Sequence, residues 1–386
     1  MPHLYTTKPK TFPSEHWKHD RKPVELIRLS TSERPYFVKI RHIHENLFRL
    51  SLLVTPIDLI LNRHKQLLLD VAKQLDVEIL KSNLGNRLKP DIGTEYLWDE
   101  TGLRSLPWAS PEEKVFEIGS GNGAFLCKHA ITHPEKRYIG TEINGFTLRK
   151  ALRKAARARL DNIHFIRNDA QYILRYHVPD KSLQKIYINF PDPWEKKRYQ
   201  KRRLIQPETL HNFARTLKPG GEVHFTTDHR DYAEHTTQQF SETPYFRLME
   251  KTTDAALPFP TKYENKWRSE GRRIIQLVFL RTEHPLTVSE NVDGLFPASF
   301  EIATDKTFSS EETFKAENFV WVLKDVYKGT RGDILDTVLS YGRYKWNVLF
   351  LKESHRLLYD SHLNRKYLTR KIKAYIETLL EAERRH

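Results

Sequence analysis

The sequence predicts a doubly wound, Rossmann-like α/β core with small α+β modules at both ends. Three observations predict it. Between residues 91 and 282, β-type runs alternate with runs of helical period, the pattern of a parallel sheet covered by helices. The first of these strands leads directly into a glycine-rich turn, Gly119-Ser120-Gly121-Asn122-Gly123, and then a helix. Acidic residues recur at the ends of successive strands, along the carboxyl edge where open α/β sheets bind ligands.

A chain of 386 residues accommodates one core domain of roughly 200 residues plus smaller modules. Its 39% hydrophobic and 11% aromatic content suits buried cores rather than disorder. The net charge of +15 is unevenly placed: residues 1–90 carry +7, residues 91–282 carry +8 and residues 283–386 sum to zero. That excess favours a polyanionic partner, with simple solubility as the alternative. The single cysteine, Cys127, leaves no intrachain disulfide and no zinc-finger spacing, so a reducing compartment and no metal are expected. The first twenty residues lack the apolar core of a signal peptide, and no apolar stretch approaches membrane-spanning length. A cytoplasmic protein without a membrane partner is expected.

Taken in order, residues 1–85 form an N-terminal module. It holds a short strand at Val24–Leu29, then a hairpin of Phe37–Ile43 and Leu47–Val54 around Glu45-Asn46. Val38, Ile40, Phe48, Leu50, Leu52 and Val54 share its apolar face; Lys39, Arg41 and Arg49 fall on the other, either solvated or facing RNA. A helix follows, with Ile57, Ile60, Leu61, Leu68, Val71 and Leu75 along one stripe. In the core, strands are predicted at Lys114–Ile118, Arg137–Ile143, His164–Arg167, Ile186–Phe190 and Glu222–Thr226, with a final pair at Tyr245–Thr252 and Arg272–Thr282. The helix at Thr147–Leu160 carries Arg149, Arg153 and Arg157 at i, i+4 spacing, and Lys218-Pro219-Gly220-Gly221 stops a helix over Pro207–Leu217. Residues 283–317 read as an acidic connector and residues 318–386 as a C-terminal α+β module: three strands near Phe319–Tyr327, Ile334–Tyr341 and Tyr344–Lys352, then an amphipathic helix.

The glycine turn alone fits NAD, FAD and S-adenosylmethionine binders alike. Its G-x-G-x-G spacing departs from the dinucleotide pattern. Glu117, two positions before the first glycine, repels a pyrophosphate and suits the ammonium and sulfonium of S-adenosylmethionine. Glu142, nineteen residues past Gly123, is placed to accept from a ribose diol, and Asp169 from an adenine amino group. Each acid taken alone also serves as a surface acid or helix cap. Asp192 is fixed between Pro191 and Pro193, ahead of Trp194 and a run, Lys196–Arg203, in which six of eight residues are Lys or Arg. Asp228 follows the fifth strand on the same rim.

Together, Glu117-Ile118-Gly119, Gly140-Thr141-Glu142, FPDPW with its KKRYQKRR follower, LKPGG, TTD ending at Asp228 and TKYENK resemble the bacterial tRNA (guanine-N7)-methyltransferases. The resemblance covers roughly residues 90–282, within a core domain bounded at 86–282. It implies a class I S-adenosylmethionine-dependent methyltransferase acting on a variable-loop guanine (position 46) of tRNA. It further implies that Glu117, Gly119, Gly121, Gly123, Glu142, Asp169 and Asp192 bind the cofactor. By the same resemblance, Lys196, Asp228, Thr261, Lys262, Tyr263 and Glu264 contact tRNA. Tyr199-Gln200 departs from the family's histidine in the basic run, and the terminal modules have no counterpart in its compact members. Guanine N7 carries a free lone pair and no proton, so the transfer needs no general base. Asp192 is the first candidate for orienting the guanine and Asp228 the second, while Trp194 either stacks on the base or closes the pocket. Rival readings are an amino-methylating class I enzyme, an NAD-dependent oxidoreductase and a non-catalytic tRNA-binding protein. Pro-Asp-Pro-Trp differs from the D/N-P-P-Y/F/W of the first, and the missing third glycine spacing argues against the second. The acid set argues against the third. Whether the protein is a monomer or a homodimer is left open.

Overall fold

Alternating apolar and polar residues build the N-terminal segment from β1 (His3–Thr6), β2 (His16–His19), β3 (Val24–Leu29), β4 (Tyr36–His44) and β5 (Leu47–Leu52), followed by α1 (Asn62–Gln74) and β6 (Ile79–Ser82). The structure, a computed structural model, describes residues 2–13, 15–29, 36–53, 61–84, 91–254, 269–286, 299–330, 332–341, 344–360, 368 and 370–383. The β4–β5 hairpin forms as predicted, with Val38 opposite Leu52 and Ile40 opposite Leu50. Those four pack with Leu68 and Val71 of α1, and with Leu75 just past its end, into one core, so the helical stripe seals the strand face. Val54, Ile57 and Ile60 lie outside the described residues.

The central segment contains β7 (Leu97–Trp98), α2 (Glu100–Arg104), β8 (Lys114–Ile118), α3 (Ala124–Thr132), β9 (Arg137–Thr141), α4 (Gly145–Ala158), β10 (Ile163–Ile166), α5 (Ala170–His177) and β11 (Leu183–Asn189). It continues with α6 (Pro207–Thr216), β12 (Leu217–Thr227), α7 (Arg230–Ser241), β13 (Phe246–Thr253) and β14 (Ile275–Arg281). These form an eight-stranded sheet in the order β13-β14-β12-β11-β8-β9-β10-β7. Strands β8, β9 and β10 step one way from the centre and β11 and β12 the other, so the topological switch point lies between β8 and β11. Strand β14 runs antiparallel to both its neighbours. Such strands are buried on both faces and read as apolar runs, as Phe116, Ile139, Phe165, Ile186, Val223 and Phe225 show. Proline at the first turn of α6 suits a position whose N–H has no intrahelical acceptor.

The C-terminal segment adds β15 (Ser299–Ala303), β16 (Thr313–Ala316), β17 (Phe319–Lys328), β18 (Asp333–Tyr341), β19 (Tyr344–Glu353), β20 (Arg356–Asp360) and α8 (Arg370–Glu383). The chain divides into two units, Met1–Asp91 with Gly294–His386, and Ile92–Asp293. This differs from the predicted separation into an N-terminal module, an acidic connector and a C-terminal module. Strand β17 pairs with β2, which joins the two ends of the chain in one twelve-stranded sheet. Strands β15 and β16 lie within the stretch read as connector. Trp17, Phe37, Tyr327 and Ile334 share a core, and the Trp17 indole donates to the Gly332 carbonyl at 2.8 Å. Sequence spacing carries no trace of such a pairing, because its strands are some three hundred residues apart.

Lys39, predicted on a solvated or RNA-facing surface, is committed within this unit. Its ammonium lies 2.9 Å from Asp325 and 3.5 Å from Asp336. Burial alone raises the Asp325 pKa, but Lys39, Lys22 and His19 outweigh it and hold the carboxyl well below its usual range.

Candidate active site

The glycine turn lies at the carboxyl end of β8. Gly119 and Gly121 adopt φ of +71° and +56°, a conformation that costs other residues about 1 kcal/mol or more. A Cβ built on Gly119 meets nothing within 4 Å, so its backbone faces open space. Gly123 answers a different need. A Cβ there would stand 2.7 Å from that of Ala151, so it permits α3 and α4 to pack closely. The loop is held by Ser120 N–H donating to the Thr141 carbonyl at 2.8 Å and by the Lys154 ammonium donating to the Asn122 carbonyl at 3.0 Å. Lys154, on the helix that carries the arginines at i, i+4 spacing, therefore serves the loop.

Below the loop, Glu117 is 2% exposed. Its Oε1 accepts from the Asn189 amide at 3.0 Å, while its Oε2 is buried with no partner among the described residues. Burial pushes its pKa up to about 7; the Asn189 bond opposes that shift and Glu142 adds to it. Asn189 Oδ1 and the Thr226 hydroxyl are also buried and without a partner among the described residues. Asn189 is bonded to Glu117 and stands opposite Thr226 in the β11–β12 register. Three buried polar groups lacking partners on three adjacent strands at the switch point are what a ligand carrying a cation and further polar atoms would satisfy. The donor set thus fits the amino-acid end of S-adenosylmethionine.

Glu142 follows β9, half-buried, and its Oε1 accepts from Asn144 N–H at 2.7 Å. Asp169 caps α5: its Oδ1 accepts from the N–H groups of Gln171 and Tyr172. Both capping bonds use Oδ1, so the cap and a second acceptor role through Oδ2 coexist on one exposed carboxylate. Ile143 and Phe146, 69% and 67% exposed, add apolar surface beside Glu142.

The Pro-Asp-Pro-Trp corner begins right after β11. Phe190 and Trp194 take φ of +53° and +46°, a conformation unfavourable for bulky residues, so the corner is strained on both sides of its prolines. The brace is Arg203. Only 4% exposed, it donates from Nε to the Pro193 carbonyl at 2.8 Å and lies 4.9 Å over the ring of the fully buried Tyr232. The Tyr232 hydroxyl in turn accepts from Leu204 N–H at 3.1 Å. The predicted cationic run is therefore divided: Lys196, Lys197, Arg198, Lys201 and Arg202 are exposed, and Arg203 belongs to the scaffold. Arg202 also lies over Trp194 and Tyr199, at 5.3 and 4.8 Å. Asp192, between the prolines, is exposed.

Asp228 follows β12, half-buried, and its carboxylate accepts from Arg272 at 2.7 Å. Thr261, Lys262, Tyr263 and Glu264 lie outside the described residues. Sequence reasoning missed Asn189, Thr226 and Arg203. The first two could be found as polar residues near the carboxyl ends of their strands, next to the rim where such sheets bind ligands. Nothing in a cationic run distinguishes its one buried member. Among the described residues no helix is long and apolar enough to cross a membrane, and no cluster of His, Cys, Asp and Glu is arranged to hold a metal.

Residues 111–277 match a family described as "Putative methyltransferase". The tRNA (guanine-N(7)-)-methyltransferase of Thermotoga maritima is 35% identical over 232 residues, spanning 58% of this chain and 73% of that protein. The enzyme of that name from Alkalilimnicola ehrlichii is 35% identical over 207 residues, 50% of this chain and 86% of its own. A third, from Wolinella succinogenes, is 27% identical over 337 residues, 83% of this chain and 81% of its own. The similarity to the third extends well beyond the central unit.

Proposed function

Because the chain belongs to the tRNA (guanine-N7)-methyltransferase family, we propose that it methylates N7 of a guanine in the variable loop of tRNA, using S-adenosylmethionine. The class I methyltransferase fold of the central unit accords with that activity. When bound, the cofactor supplies an electrophilic methyl on a sulfonium centre. Glu117, with its unpartnered Oε2, is suited to the ammonium of such a ligand. Glu142 is suited to the ribose hydroxyls and the free edge of Asp169 to the adenine amino group, with Gly119 and Gly121 allowing close backbone approach.

The observation that carries the reading is the short connection along β11. Asn189 holds the buried carboxylate of Glu117, and three residues later the strained corner presents the exposed carboxylate of Asp192. An ionised carboxylate only accepts hydrogen bonds. Guanine offers two donors, N1–H and its amino group, and adenine cannot match them. Asp192 thus orients guanine and favours positive charge on the purine as the N7 lone pair takes the methyl. No proton leaves N7, so no side chain is needed as a base. Lys196, with its exposed neighbours in the same run, meets the phosphate backbone. Asp228, paired with Arg272, and residues Thr261, Lys262, Tyr263 and Glu264 complete the tRNA contacts in this reading.

Incubation with methyl-labelled S-adenosylmethionine and total tRNA, followed by mapping of the labelled nucleotide, tests it. Label at N7 of a variable-loop guanine is expected. Label on an exocyclic amino group, or none at all, would sink the proposal.

A further inference from the structure

The unit built from both ends of the chain carries a second cationic surface that the reaction leaves unexplained. One register row runs across four strands, with Lys81 on β6 opposite Tyr5 on β1, Tyr5 opposite Arg49 on β5, and Arg49 opposite Arg41 on β4. Residues paired directly in an antiparallel sheet share a face, so these four side chains emerge together, away from the apolar face packed on α1. His3 stands beside them, its ring edge-on to Tyr5 at 5.2 Å. The row contains no Asp or Glu.

Like charges directly opposite one another destabilise a sheet, and Arg41 faces Arg49. Lys39 on the same strand illustrates the intramolecular alternative, being neutralised by Asp325 and Asp336. No carboxylate among the described residues pairs with Arg41 or Arg49. The Arg49 Nε is moreover buried without an acceptor among them. Among the described residues the Arg49 Nη2 reaches only the His3 ring, at 3.5 Å, and that ring can be neutral. A row of cations without a carboxylate, flanking the Tyr5 and His3 rings, therefore matches the chemistry of an RNA strand, which brings phosphates for the cations and flat bases for the rings.

We propose that this face binds a stretch of the tRNA substrate, with Arg41, Arg49 and Lys81 on phosphates and Tyr5 stacked on an unpaired base. The proposal rests on the tRNA reading above and gives the appended unit a role in substrate capture. The test uses the full chain with Arg41→Gln, Arg49→Gln and Lys81→Gln combined. Retention of total tRNA on filters is measured from about 50 to 200 mM salt. The log–log salt slope should become shallower by about three and affinity should fall at least about tenfold. The rate at saturating tRNA and the affinity for S-adenosylmethionine should stay unchanged. An unaltered slope and affinity overturn the proposal. Ultraviolet cross-linking of the unaltered protein to tRNA needs no variant to fold. A nucleotide adduct on the peptide containing Tyr5 supports the proposal, and adducts confined to peptides from Ile92–Asp293 count against it. Were the protein to bind tRNA without methylating it, the assigned reaction would fall while the slope and the cross-link still decide this question.

Discussion

Glu117 and Asp192 are carboxylates at the ends of neighbouring strands, prepared for their work in opposite ways. Glu117 is buried, half-paired and pushed up toward neutrality by loss of solvent. Asp192 is exposed, and it is the backbone around it that is constrained, by two prolines and two residues in left-handed conformation. A buried carboxylate with one empty acceptor gains most from a permanent positive charge in the ligand. An exposed carboxylate on a rigid corner gains most from a partner whose charge appears during reaction, since its position requires no reorganisation. Under the proposed function, this difference suits Glu117 to anchoring the cofactor and Asp192 to orienting the substrate.

The sharpest break in that comparison is Glu117→Gln. It keeps the shape and the Asn189 contact but removes the charge, so affinity for S-adenosylmethionine should fall on the order of a thousandfold by calorimetry. The ligand-free protein should be no less stable, because an incompletely paired buried charge is lost with it. The pH dependence follows from the raised pKa. Between its ordinary value of 4.5 and about 7 the folded chain holds a proton that the unfolded chain has released, so ligand-free stability declines as pH rises through that window. Cofactor affinity runs the other way, weakening as pH drops below about 7 and the carboxylate is protonated. Thermal melts and cofactor titrations across this range should show both trends in the native protein and neither in Glu117→Gln.

At Asp192 the expected pattern separates rate from cofactor binding. Asp192→Asn should lower kcat about a hundredfold, comparable to the loss of one preorganised transition-state hydrogen-bonding group elsewhere. Affinity for S-adenosylmethionine should change by no more than about threefold, since the loss falls on transition-state rather than ground-state interactions. A variant that binds both substrates normally and turns over at full rate removes Asp192 from the reacting centre.

Much of the central unit was legible because buried parallel strands announce themselves. Lys114–Ile118 was bounded to the residue, and the other core elements that were given bounds to within about three. Strand β12 is the exception, beginning at Leu217, ahead of the predicted Glu222, and α5 and α7 were not bounded at all. The acids were legible by their place at strand ends. Their states were not, since whether Glu117 is paired depends on Asn189, seventy-two residues away. The same limit hid the joining of β2 to β17 and made Lys39 look like a surface cation. Composition reveals how many cations a segment has, and only packing reveals which of them are already neutralised or buried.

The smallest effects test that last distinction within Lys196–Arg203. If Arg203 braces the corner, Arg203→Lys should lower kcat about tenfold, because an ammonium lacks the planar fork that reaches the Pro193 carbonyl while stacking on Tyr232. Its salt dependence of tRNA binding should match the native protein, since no exposed charge has changed. Lys196→Gln should do the reverse: an unchanged kcat, a three- to fivefold weaker tRNA affinity, and a log–log salt slope shallower by about one. The two substitutions lie seven residues apart in one basic run, so equal salt slopes would merge them into a single electrostatic patch. Opposite signatures would show that the run contains two devices, one holding RNA and the other holding Asp192 where the guanine must come.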